Sequence, residues 1–100
     1  MKYNKLVRDK IPEYIKERGG EAICHIATKE EYWQKLKEKL AEEVVEFQAA
    51  ENMEELADIL EVIKAIMIHK DFSSTEVRQI REDKAIKRGT FQNRIILDES

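Results

Sequence analysis

The sequence predicts an all-α protein, four helices in a single small domain over residues 1–100. Three observations predict it. The chain of 100 residues holds only three Gly and one Pro, too few chain reversals for many short strands. Capping-box spacings recur at Thr28…Glu31, Asn52…Glu55 and Ser73…Glu76, where side chains satisfy the free N–H groups of a helix start. Apolar residues at helical spacing follow the first two boxes most strongly.

Residues 1–8 read as an extended leading segment. A first helix follows from about Lys10 to Arg18; Pro12 suits its first turn, where a missing N–H is harmless, and Gly19-Gly20 stop it. Residues 21–27 are a connector. The apolar run within 22–27 predicts a short strand, paired with the extended tail at 93–97, as a minor strand pair. The second helix is capped by Thr28 and runs to about Ala50. The third is capped by Asn52 and runs to about His69. The fourth is capped by Ser73 and runs to about Lys87, with Gly89 ending it.

Composition excludes several classes. The 18 basic and 21 acidic side chains give a net charge of −3, without the basic surplus of a duplex-nucleic-acid binder. The single cysteine, Cys24, forms no internal disulfide, so a cytoplasmic setting is expected. Met1–Lys10 carries no signal-peptide core. The longest unbroken apolar run, Ala65–Ile68, is far short of a membrane span. A chain this size has a thin core, which favours burial of further surface in a homo-oligomer.

The chemistry concentrates on the second and third helices. The second has an apolar stripe of Trp33, Leu36, Leu40, Val44 and Phe47, and Glu43 lies on that stripe with Glu46 at its edge. The third is apolar almost all round, through Leu56, Ile59, Leu60, Val62, Ile63, Ile66 and Met67, and so reads as central and buried. Only Glu61 and Lys64 mark a solvent stripe. Folding the two helices into a hairpin near Glu51 brings Glu46 level with Glu55, and Glu43 level with Asp58. Four carboxylates in one groove repel, and burial disfavours their charge; a divalent cation answers both, and oxygen-only ligands suit Mg²⁺. Two other readings stand beside this one. Glu55 is also the capping-box partner of Asn52, which would make Glu54 the groove residue, and acidic runs on helices are commonly solvated faces.

Other constellations are weaker. Neither His25 nor His69 completes the Glu-x-x-His of a di-iron bundle, and Cys24, His25 and His69 are too scattered for zinc. No Gly-rich phosphate loop is present. Basic residues gather at both ends, with Lys5, Arg8 and Lys10 near the start and Lys84, Lys87, Arg88 and Arg94 near the finish. They are either solubilising charges or cations for an anionic ligand. Tyr32, Trp33 and Phe47 have the spacing of core residues more than of a base-stacking platform.

Glu42-Glu43-Val44-Val45-Glu46 followed by Glu55-Leu56-Ala57-Asp58 resembles the EExxE…ExxD signature of the all-α nucleotide pyrophosphohydrolases, the MazG-like superfamily. Tyr3–Pro12 resembles the opening of a house-cleaning subgroup of that superfamily. Lys87-Arg88-Gly89-Thr90-Phe91 and Arg94-Ile95-Ile96-Leu97 resemble its closing segment. The resemblance implies a four-helix bundle of the MazG-like type, completed as a homodimer or homotetramer. It implies Mg²⁺-dependent cleavage of a nucleoside triphosphate, commonly a non-standard one, to the monophosphate and pyrophosphate. Glu43, Glu46, Glu55 and Asp58 would then hold Mg²⁺, or Mn²⁺ in its place, and Glu42 would orient a water or act as base beside Glu43 and Glu46. Lys5, Arg8, Lys87, Arg88 and Arg94 would grip the phosphates. The alternatives are a phosphoribosyl-ATP pyrophosphohydrolase of the same fold, a family member that binds nucleotide without cleaving it, and a non-enzymatic helical dimerisation or regulatory module.

Overall fold

A computed structural model describes residues 4–100, so Tyr3 and the first residues of the leading segment lie outside the described residues. Among the described residues the fold is all-α, with four helices: α1 Ile11–Glu17, α2 Lys29–Ala50, α3 Met53–His69 and α4 Ser74–Arg88. The three capping residues behave as their spacing predicts. Thr28 Oγ1, Asn52 Oδ1 and Ser73 Oγ accept hydrogen bonds from the backbone N–H groups of Glu31, Glu55 and Glu76 at 3.2, 2.9 and 3.2 Å. Pro12 stands in the first turn of α1, and Gly19, at φ +82°, takes the left-handed conformation just past its end.

The link between α2 and α3 is very short. Glu51 takes the left-handed conformation, φ 52° and ψ 43°, and its N–H closes α2 on the Phe47 carbonyl. Asn52 then opens α3 at once. This tight turn lays α3 antiparallel to α2, and their contact is the only extensive helix–helix packing among the described residues. Leu36 and Val62 are its buried apolar side chains. At the far end of the hairpin, the Trp33 ring stacks on His69 at 5.6 Å, Tyr32 meets His69 edge-on, and the Lys70 ammonium lies 4.1 Å from the Trp33 ring. Trp33 and Tyr32 are therefore packing residues, as their spacing suggests.

Two expectations need correction. Neither 22–27 nor 93–97 forms a strand. Ile23 and Ile26 are 96% and 97% exposed, and Ile95, Ile96 and Leu97 are also exposed. An isolated pair of such short strands, with no third strand or helix beneath it, has too little to hold it. α3 is also not central within one chain. Leu56, Leu60 and Ile63 are exposed because only the face towards α2 is covered. The radius of gyration, 17.8 Å, exceeds the roughly 13 Å of a compact chain of this length. α4 accounts for much of this, since it carries exposed Val77, Ile80 and Ile86 and packs on no other helix extensively. No helix among the described residues is long and apolar enough to cross a membrane.

Candidate metal centre

The α2–α3 contact that buries Leu36 and Val62 also carries the acidic residues. Glu43 lies on the contact face of α2 and is only 5% exposed, on a par with the core. Asp58 and Glu55, one turn apart on α3, face it. One carboxylate oxygen from each of Glu43, Glu55 and Asp58 lies within 4.8 Å of the other two. Oε2 of Glu43 and Oε2 of Glu55 are buried without a hydrogen-bond partner. Buried polar atoms are rarely left so, and two orphaned carboxylate oxygens in one small cluster are the donor set a hard cation takes.

This resolves the alternatives for the α3 residues. Asn52 caps through the Glu55 backbone N–H, while the Glu55 carboxylate turns into the cluster; Glu54 is exposed. Glu46 is exposed and stands outside the group of three, at its rim. Three residues along a helix is a rotation of about 300°, an offset of about 60°, so Glu46 stands beside Glu43 at the edge of the contact face, near enough to act on its carboxyl.

The electrostatics follow from this packing. Burial pushes the Glu43 carboxyl above its ordinary value, and the neighbouring Glu46 carboxylate pushes the same way against the opposing pull of Lys39. Glu42, one position earlier, behaves oppositely. Burial raises it too, but the Lys5 and Lys39 ammonium groups outweigh burial and hold it below the ordinary value. Lys5 Nζ lies 3.2 Å from Glu42 Oε1 and Lys39 Nζ 3.3 Å from Glu42 Oε2. Lys39 also reaches Glu43 Oε1 at 3.4 Å. Arg8 Nη2 donates to Asp58 Oδ1 at 2.7 Å.

A groove of about 290 Å³ opens over these groups, lined by Lys5, Val7, Arg8 and Ile11 on one side and Lys39, Glu43 and Asp58 on the other. Of the basic candidates, Lys5 and Arg8 line this groove; Lys87, Arg88 and Arg94 do not line it, and Arg88 and Arg94 line a separate groove at the end of α4, with Gly89, Thr90 and Phe91. Lys39 is the site residue that sequence reasoning missed. Its signal was present, since positions three and four after it on the same helix are Glu42 and Glu43.

No family profile matches the chain, and no solved structure matches it. It is 46% identical over 46 residues to a protein of Mycolicibacterium smegmatis described only as uncharacterized. That match covers 46% of this chain and 47% of the relative, so the chain spans about half the length of the curated relative it matches.

Proposed function

We propose that this protein is a Mg²⁺-dependent nucleoside triphosphate pyrophosphohydrolase of the MazG-like superfamily, acting on a non-standard nucleotide to give the monophosphate and pyrophosphate. The observation that carries the reading is the convergence of Glu43, Glu55 and Asp58, with two buried carboxylate oxygens left unpartnered. The resemblance of the acidic signature and of both chain ends to that superfamily supplies the reaction.

Glu43, Glu55 and Asp58 would hold Mg²⁺, with Glu46 reaching in from the rim. When bound, the ion neutralises phosphate charge and lowers the pKa of a coordinated water. Lys5, Arg8 and Lys39 line the same groove and offer ammonium and guanidinium donors to the phosphate chain. Glu42, kept ionised by Lys5 and Lys39, accepts a hydrogen bond from the attacking water. Its lowered pKa suits orientation better than proton abstraction. The exposed apolar residues of α3 and α4 support a homodimer or homotetramer, in which a second copy covers them.

The test is a pyrophosphate-release screen over standard and modified nucleoside triphosphates, with phosphoribosyl-ATP included, with and without Mg²⁺. The expected result is Mg²⁺-dependent release from at least one nucleoside triphosphate. Asp58→Asn should lower it by orders of magnitude without loss of helical circular dichroism. Release from phosphoribosyl-ATP alone would move the assignment to that substrate. Silence across the panel, together with no Mg²⁺-dependent thermal shift, would leave a non-enzymatic helical module.

A further inference from the structure

The groove is flanked by cations that the acidic residues themselves hold. Residues 4–10 cross the hairpin as a strap, tied to α2 through Lys5–Glu42 and to α3 through Arg8–Asp58. The second tie is the shorter, 2.7 Å, and it engages a carboxylate of the candidate metal centre. The Lys5 tie engages Glu42, outside that group of three. Arg8 is more than half exposed, and one of its nitrogens makes the bond to Asp58. Arg8 also lines the groove, and its planar fork carries further donors. Glu43, 5% exposed and with one oxygen orphaned, is the independent sign that the cluster is built for a ligand.

We propose that Arg8 is an exchangeable counter-ion: it neutralises Asp58 while the centre lacks a divalent cation, and it turns to the outer phosphates of the substrate once Asp58 ligates one. The identity of the anion rests on the proposed function, and the exchange rests on the candidate metal centre alone. Arg8 then opposes binding of the cation alone and assists binding of a polyphosphate to the cation-loaded protein. Removing it should therefore move the two affinities in opposite directions. Coupling of this kind is reciprocal, so the cation and the polyphosphate should also strengthen one another.

The experiment is calorimetric titration of the full chain and of Arg8→Gln, first with Mn²⁺ alone, then of the Mn²⁺-loaded protein with preformed Mn²⁺–tripolyphosphate. For Mn²⁺ alone, Arg8→Gln should bind about two- to fivefold more tightly, the scale of an exposed ion pair. For the tripolyphosphate complex it should bind about tenfold or more weakly, the scale of a charge-assisted hydrogen bond. Arg8→Lys, which keeps the charge but loses the fork, should lie near wild type for Mn²⁺ alone and between wild type and Arg8→Gln for the tripolyphosphate complex, and it guards against a folding artefact. Equal or weaker Mn²⁺ binding by Arg8→Gln would overturn the exchange, as would unchanged tripolyphosphate binding. No saturable Mn²⁺ binding by the wild-type chain would instead overturn the metal centre itself.

Discussion

Replacing Glu43 by Gln should make the metal-free protein more stable and the metal-loaded protein no better. Glu43 is the most buried carboxylate, with Glu55 and Asp58 oxygens within 4.8 Å of its own and Lys39 at 3.4 Å. Each repulsion is worth about 1 kcal/mol in water-like surroundings and about 3.5 kcal/mol at an effective dielectric of about 20. The attraction to Lys39 and the pairing of Arg8 with Asp58 offset much of this, while burial and the Glu46 carboxylate add to it, and the raised pKa of Glu43 shows that the charged form is disfavoured on balance. Removing the charge leaves a net gain of about 0.5–2 kcal/mol, and relief of desolvation acts in the same direction. For a domain of this size about 1 kcal/mol moves Tm by roughly 4–8 °C. The assay is thermal unfolding by circular dichroism at fixed protein concentration, in chelator and in excess Mg²⁺. The variant should melt several degrees above wild type in chelator and lose most of the wild-type Mg²⁺ shift. The gain should also depend on pH. Because the folded-state pKa of Glu43 is raised, folding retains a proton that the unfolded chain releases from about 4.5 upward. Wild-type stability therefore falls as pH rises through the raised value, and the advantage of the variant is full above it and absent below about 4.5. A variant that melts below wild type in chelator, or that keeps the full Mg²⁺ shift, would refute the reasoning.

Three further outcomes follow from the same structure. Mg²⁺ affinity, measured by calorimetry, should weaken as pH falls through the raised Glu43 value, because the proton and the cation compete for one carboxylate. Leu36→Ala, at a side chain 1% exposed, should lower stability by about 2–5 kcal/mol in denaturant titrations, whereas Val45→Ala, at 64% exposed, should stay within about 0.5 kcal/mol. Glu51→Gly should raise stability by up to about 1 kcal/mol, since it removes the Cβ from a left-handed position at φ 52°.

The helices were legible because their starts are local chemistry. Thr28, Asn52 and Ser73 need only their own backbone neighbours, so spacing alone placed the starts of α2, α3 and α4. The hairpin pairing of Glu43 with Asp58 was legible for the same reason: helical rise and a tight turn at Glu51 fix which residues come level. What failed depended on neighbours that periodicity does not supply. The apolar character of 22–27 and 93–97 fits a strand, but nothing brings the two segments together. Leu56, Leu60 and Ile63 read as core, yet one chain offers no surface to cover them. Glu46, read at the edge of the packing face, lies beside Glu43 and outside the group of three. Arg8 shows the remaining gap. The helical spacing of Lys39 to Glu42 and Glu43 was there to be read, whereas Arg8 and Asp58 stand 50 positions apart and only the folded chain shows their tie.

The most direct measurement is anomalous diffraction from a crystal of the protein soaked in Mn²⁺. The account predicts one or more strong peaks bounded by Glu43, Glu55 and Asp58, with Arg8 displaced from its 2.7 Å contact with Asp58. A well-ordered crystal at saturating Mn²⁺ with no peak there, and with Arg8 still on Asp58, would contradict it.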